Sequence, residues 1–353
     1  MTHRNGTLTA MAAALLAALA LGALPACKPA PAVVTSPWPV AMKERTAAKP
    51  PVPPRWPLTG LDAPDATAIT RRVISVKIEN NPAAKPQVGL DQADVVYESL
   101  AEGGITRFNA IFHSNQPAYL LGPVRSARLS DLDIVPQYGA MFSFAGANNV
   151  VYTKIRSAGL QELAENGGST DCYERLKTRK APHNLFIDLA KARTVGAAAK
   201  WPTTQTVRPF SFLRRSAEAT PPVTIINIPF SDQAKAKWQY DPGTNLYLRW
   251  DRGTPHTDGE TKKQLTARNV VVMWTKTTTT AKRDVAGSPT LDIELAGKGK
   301  ATVFRDGVKI EGEWSAGADA PPEFHDADGT VIKLGTGNTW FQVIPTNQTI
   351  TWQ

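Results

Sequence analysis

Residues 97–133 read YESLAEGGITRFNAIFHSNQPAYLLGPVRSARLSDLD, and their alternation decides how the first half of the chain is expected to fold. Val95-Val96-Tyr97-Glu98-Ser99-Leu100 is rich in β-branched and aromatic residues and predicts a strand. Gly103-Gly104 predicts a tight connection, and residues 106–113 predict the next strand. Period-two alternation there puts Phe108, Ala110 and Phe112 on one face and Arg107, Asn109, Ile111 and His113 on the other. The same stretch carries Glu98, Glu102, Arg107, Arg125, Arg128, Asp131 and Asp133. Charges this close to a core need partners or a ligand, so a functional site is expected to begin here.

Toward the end of the stretch, Ser130 and Asp133 have the spacing of a capping box, which predicts a helix start near Ser130 limited by Pro136. Arg125 and Arg128 then precede a helix N-terminus, and guanidinium forks match phosphate and carboxylate alike. Two readings stay open: an anion site, or a structural network with Glu98, Glu102, Asp131 or Asp133. Farther on, the basic run Arg175, Lys177, Arg179 and Lys180 leads into Ala181-Pro182-His183-Asn184. His183 is suited to act as a general base, as a ligand, or as a donor to a backbone carbonyl. Arg107, Arg125, Arg128, His183 and Asn184 are therefore the candidate ligand-binding residues, and Glu98 or Glu102 with His183 the candidate acid/base pair. HExxH, CxxC, GxSxG and dinucleotide-binding signatures are absent, and neither a metal nor a cofactor is expected.

Around this stretch the pattern is α+β. Residues 73–78 and 140–145 predict strands, and residues 149–165 a helix interrupted near Gly159. A further helix over 189–201 would be capped by Asn184 or Asp188. From residue 221 the texture changes to strands with turns every eight to twelve residues. Candidates lie at 237–241, 246–251, 269–276, 291–295, 301–305, 309–314, 331–334, 339–344 and 349–352. Arg305-Asp306-Gly307-Val308 predicts a hairpin turn, and Gly297-Lys298-Gly299-Lys300 another turn. Trp250, Trp274, Trp314, Trp340 and Trp352 predict core or edge packing, with one or two able to stack on a sugar ring. The expected fold is a mixed sheet with helices in an N-terminal domain, followed by a β-rich C-terminal domain, divided as 58–220 and 221–353.

The N-terminus sets the expected compartment. Arg4 is followed by the uncharged run LTAMAAALLAALALGALPA, which is how an export signal over residues 1–26 reads. Ala26-Cys27 at its end is similar to the lipobox of bacterial lipoproteins, in which the cysteine is acylated, with palmitate among the chains carried, and becomes the new N-terminus. Residues 27–57 hold nine prolines and predict a polyproline-like tether. The only other cysteine, Cys172, is expected to be a small buried apolar side chain. The formal charge of +9 on 353 residues is moderate and lacks the dense basic runs of a nucleic-acid binder.

The residues also resemble a known family, the YerB-like bacterial lipoproteins. The resemblance is carried by Val76-Lys77-Ile78-Glu79-Asn80, by Gly89-Leu90-Asp91-Gln92-Ala93-Asp94-Val95-Val96-Tyr97-Glu98, by Gly122-Pro123-Val124-Arg125-Ser126-Ala127-Arg128, and by Ala181-Pro182-His183-Asn184-Leu185. It covers roughly residues 58–352 and implies a two-part α+β architecture and a lipid anchor, with no activity attached. The expected function is that of a membrane-anchored lipoprotein on the extracytoplasmic face, binding an anionic wall polymer or glycan and no nucleic acid. The alternatives are an envelope hydrolase or transferase, and a purely structural role.

Overall fold

The structure is a computed structural model, and it describes residues 52–167, 170–213, 222–283 and 287–353. Cys27, the export signal and most of the proline-rich tether lie outside these residues.

Ten strands form one mixed sheet. Its first half is built by β1 (Ile74–Glu79), β2 (Val95–Leu100), β3 (Thr106–Phe112), β4 (Met141–Phe144) and β5 (Glu162–Ala164). Across the sheet the strands run Glu323–His325, Val308–Ala316, Gly297–Arg305, Asn269–Thr275, Thr339–Pro345, β2, β3, β1, β4, β5. Strands from both halves of the chain thus share a single sheet, and the join is the parallel pair of β2 with Thr339–Pro345. A second sheet, built on Ile225–Pro229, Lys235–Asp241 and Leu246–Asp251, is antiparallel and has Thr351–Trp352 at one edge. The α+β expectation holds.

The alternation read from β3 is the one that packs. Phe108, Ala110 and Phe112 join Val76, Val96 and Trp340 in a core that also takes Ile226, Ile228 and Trp238 of the smaller sheet. Ile111 faces the other way, into a second core with Tyr97, Phe142, Phe144 and Phe341. That core is covered by α1 (Asp131–Gln137) through Ile134 and Val135, and by α2 (Asn149–Ser157) through Val151 and Ile155. The third helix, α3 (Leu189–Ala198), packs into the first core through Leu189 and Ala192. Each large apolar side chain buried in this way contributes roughly 1.5–3 kcal/mol, so both faces of the sheet are heavily invested in the fold.

Several local expectations fail for identifiable reasons. The capping box at Ser130 does not form: Ser130 is itself in helical geometry, not the extended geometry a capping residue needs, and its side chain makes no cap bond. Asp133 instead accepts from the amides of Leu295 (2.8 Å) and Ala296 (3.2 Å). The helix expected over 149–165 breaks near Gly159 as read, but it does not resume: it stops at Ser157, Gly159 adopts a left-handed φ of +64°, and the chain turns into β5. α3 ends at Ala198, short of the expected limit, and Asp188, not Asn184, caps it through the amides of Ala190 and Lys191. Gly297-Lys298-Gly299-Lys300 is strand, not turn. A Cβ on Gly299 would lie 2.5 Å from the Trp274 carbonyl oxygen, so that glycine answers a close approach. The folded body also reaches back into the expected tether. Trp56 is buried edge-on to His113 at 5.0 Å, with the Arg71 guanidinium 5.1 Å from its ring centre.

Candidate functional site

Two polar networks lie on opposite faces of the large sheet, and strand alternation sorts the candidate residues between them. In the antiparallel pair of β1 and β3, Lys77 stands opposite Asn109 and Glu79 opposite Arg107. These four share the face of Ile111. Glu98, opposite Phe108 in the pair of β2 and β3, belongs to the other face.

On the first face the deepest charge is Lys77, whose ammonium is 2.7 Å from Asp131. Asp131 also accepts from Asn109 Nδ2 at 2.9 Å and from the Arg128 amide at 2.7 Å, while Ser75 donates to Asn109. Both charged groups are fully buried, and burial pulls the Lys77 pKa down against the attraction of Asp131. Asp131 thus ties the start of α1 to the sheet, and the amides of residues 131–134 at that helix end are taken by the carbonyls of Arg128, Leu129 and Ser130.

Above this pair sits Glu79, completely buried, with three cationic or polar neighbours. Arg125 Nε donates to it at 3.0 Å, His183 Nδ1 lies 2.8 Å away, and Arg107 Nη2 is 3.6 Å away. Backbone pairing delivers these groups: Glu79 donates to the Pro123 carbonyl, Arg125 to that of Lys77 and Val124 to that of Leu185. Arg128 Nε reaches Glu102 at 2.5 Å. Three guanidinium groups therefore face two carboxylates. The imbalance is felt most by Arg107, whose Nε and Nη1 are buried without a hydrogen-bond partner among the described residues. Burial, reinforced by Arg128 and Arg125 and opposed by Glu79 and Glu102, lowers its pKa to about 10, which leaves it charged at neutral pH. The rim is more open: the side chains of Arg125, His183 and Arg128 are 25%, 19% and 17% exposed.

The second face carries a ring of hydrogen bonds sealed from solvent, in which Glu98 Oε2 and Arg249 Nη1 are nonetheless buried without a hydrogen-bond partner among the described residues. Glu98 lies 2.9–3.0 Å from Arg249 Nη2. Arg249 Nε donates to His256 Nδ1 (3.0 Å), so that nitrogen is the acceptor and Nε2 carries the proton toward Gln87 Oε1 at 2.8 Å. Gln87 donates to Asn80 (3.0 Å), Asn80 to Thr106 (2.7 Å), and Thr106 back to Glu98 (2.9 Å). The Arg249 guanidinium is enclosed by Phe108, Trp238 and Trp340, with ring centres 5.0–5.6 Å away. Burial, opposed chiefly by Arg249, raises the Glu98 pKa. Burial together with Arg249 and Lys85 holds His256 well below its usual value and therefore neutral.

The sequence-derived candidates thus fall into separate places. Arg107, Arg125, Arg128 and His183 converge. Asn184 does not join them; its side chain accepts from Arg175 at 2.9 Å. Glu98 and Glu102 are each engaged by a different arginine, and His183 bonds Glu79, so the acid/base pair of Glu98 or Glu102 with His183 is not assembled. Among the described residues, no group of three or more His, Cys, Asp or Glu could hold a metal. Cys172 is buried, and burial pushes its thiol up to about 12, away from nucleophilic character. Glu79, Lys77 and Arg249 were not singled out as site residues from sequence. The available signal was one face of β1, Ser75, Lys77 and Glu79, in a strand buried along its whole length.

Comparison with known proteins follows the same two halves. Residues 58–202 match the "Protein of unknown function (DUF3048) N-terminal domain" and residues 226–341 the corresponding C-terminal domain. The chain is 28% identical over 294 residues to "Putative lipoprotein YerB" of Bacillus subtilis, covering 82% of this chain and 86% of the relative. The crystal structure of YerB protein from Bacillus subtilis superimposes with a TM-score of 0.75 at 27% identity, covering 84% of this chain and 99% of that one. With both domain matches in order along one chain and the fold shared, this protein belongs to the DUF3048 family of YerB-like proteins of unknown function.

Proposed function

We propose that this protein is a lipid-anchored component of the cell envelope, held at the membrane through Cys27 on the extracytoplasmic face. Its cluster of Arg107, Arg125, Arg128 and His183 would bind an anionic group of a wall polymer or glycan. The anchor rests on the lipobox-like Ala26-Cys27, which lies outside the described residues, and on the lipoprotein name that the YerB relative carries. The binding role rests on one observation above all: Arg107 is buried and charged, yet two of its nitrogens have no partner among the described residues. A buried unsatisfied donor costs roughly 1–3 kcal/mol, more when charged, and an incoming anion would recover part of that cost.

Glu79 acts as the internal counter-ion in this reading, sealing the cluster when the ligand is absent. The ligand approaches from the rim, where Arg125 and Arg128 are partly exposed, and exchanges with the Glu79 contact to Arg125. Phosphate and carboxylate both suit paired guanidinium forks. The test is calorimetric titration of the full chain with polyglycerol phosphate and with inorganic phosphate. The Arg125→Ala/Arg128→Ala double variant should weaken binding at least tenfold, about 1.4 kcal/mol. Unchanged affinity in that variant would overturn the assignment. A catalytic reading of Glu98 and Glu102 gains no support from their separate arginine partners.

A further inference from the structure

A second concentration of positive charge lies elsewhere on the large sheet. The strand Gly297–Arg305 stands four strands from β3, about 19 Å at the usual spacing of strands. Beside it opens a cleft of about 540 Å³, within the roughly 300–1,000 Å³ typical of small-molecule sites. Lys298, Lys300 and Thr302 line one wall at alternate positions of that strand, which places them on one side of the sheet. Trp274 contributes to the floor, and residues 346–350 with Trp352 form the opposing wall.

The aromatic groups are held in place. Trp274 Nε1 donates to the Gln348 carbonyl at 2.8 Å, which pins the 346–350 turn to the floor. The Lys300 ammonium lies 4.9 Å from the Trp274 ring centre, a cation–π distance. Trp352 is 44% exposed, unusual for so large an apolar side chain, with Lys309 4.0 Å from its ring centre. The charges are unevenly matched. Lys276 pairs with Glu294 at 2.7 Å and Lys309 with Glu311 at 3.0 Å, whereas Lys298 and Lys300 are in no ion pair among the described residues. Lys298 and Lys300 stand beside an exposed indole outside any ion pair, with Glu311 as the carboxylate of the lining and within electrostatic reach of Lys300, an arrangement that suits a ligand anionic at one edge and apolar on one face.

We infer that this cleft is a separate ligand site for an acidic saccharide, a sugar unit bearing carboxylate or phosphate. The anionic substituent sits between Lys298 and Lys300, and the C–H face of the pyranose lies against Trp352. Lysine suits this role because its compact charge on a flexible stem follows substituents at varying positions, where arginine would demand a fixed fork. The cleft is bounded by the 346–350 turn and is short, which favours a saccharide over an extended single-stranded nucleic acid needing a long basic groove.

The site stands independently of the arginine cluster, and the experiment separates the two. Full-length protein is titrated, by calorimetry and tryptophan fluorescence, with a tetrasaccharide of alternating uronic acid and N-acetylhexosamine. Chitotetraose serves as the neutral comparison and a short oligothymidylate as the nucleic-acid comparison. The acidic tetrasaccharide should bind at least tenfold more tightly than either. Lys298→Glu/Lys300→Glu should weaken the binding reported by tryptophan fluorescence at least tenfold and Trp352→Ala at least fivefold, whereas Arg125→Ala/Arg128→Ala, which removes only the arginine-cluster site, should leave that signal unchanged. All three side chains changed in the cleft are exposed, so folding is not at stake, and thermal melts matching wild type would verify this. No binding by wild type, equal binding of chitotetraose or oligothymidylate, or unchanged affinity after charge reversal would each overturn the inference.

Discussion

The two faces of the central sheet handle the same chemical problem, a buried arginine with a buried glutamate, in opposite ways. Arg249 and Glu98 lie between two sheets, and every link from Glu98 through Thr106, Asn80, Gln87 and His256 back to Arg249 is made. Arg107 and Glu79 meet at 3.6 Å, with Arg125 and His183 competing for the same carboxylate and a rim open to solvent. A closed ring of donors and acceptors stabilises a junction between two halves of a fold. An open set with more donors than acceptors is a place where something else can bind. Neither the residue types nor orphaned atoms distinguish them, since Arg249 Nη1 and Glu98 Oε2 are also buried without a hydrogen-bond partner among the described residues. Access does, because the Arg249–Glu98 pair is sealed and the Arg125 and Arg128 rim is partly exposed.

The sharpest break in this comparison is Arg249→Met. It strands Glu98 without its cation between the sheets, and removing one partner of a buried pair costs about 3–5 kcal/mol. Urea denaturation should show a loss of that order with no effect on anion affinity at the other face. A change in phosphate affinity would mean that the two networks are coupled.

The next effect is on pH dependence. An unfolded histidine takes up its proton near pH 6.5, whereas His256 in the fold resists protonation until well below that value. The stability from keeping it neutral is therefore fully present above about pH 6.5 and is lost as pH falls below it. The loss amounts to as much as about 1.4 kcal/mol per pH unit. Stability measured at pH 7, 6 and 5 should fall along this slope in wild type and more shallowly in His256→Gln. Equal slopes would show that His256 is not the proton acceptor.

The smallest effect on stability, and the most informative, belongs to Glu79→Gln. The amide keeps the shape and frees Arg125 and Arg107 from their internal counter-ion. Stability should drop by about 1.5 kcal/mol, the low end for a hydrogen bond to a charged group because the amide oxygen still accepts from Arg125, while phosphate affinity rises several-fold. Glu98→Gln, made for contrast, should alter stability without any gain in anion binding.

Much of this was legible in the residues, unevenly. The alternation of β3 assigned its side chains to the two cores, and the Asp-Gly hairpin at residues 305–308 joins its two strands as expected. Helix ends were less legible because caps depend on backbone geometry. Ser130 had the spacing for a capping box but not the φ and ψ, and Gly159 ended a helix that the apolar pattern would have continued through Leu160 and Leu163. Gly299 looked like turn chemistry and proved to be a clearance for Trp274 and Trp314 across the sheet. The site was legible in part. Arg107, Arg125, Arg128 and His183 converge, but their shared partner is Glu79, which the stretch 97–133 does not contain.

By itself the sequence determined the class of fold, the two faces of β3, the family, and the set of charged side chains that had to be accommodated near a core. Period-two alternation and turn chemistry act within a few residues, so they can be read along the chain. Only the tertiary structure decided which charge meets which. Glu98 finds Arg249 across 151 positions of sequence and Glu79 finds His183 across 104. Electrostatic and hydrogen-bond energies depend on separation in space, not along the chain, and it is the pairing of strands that sets that separation.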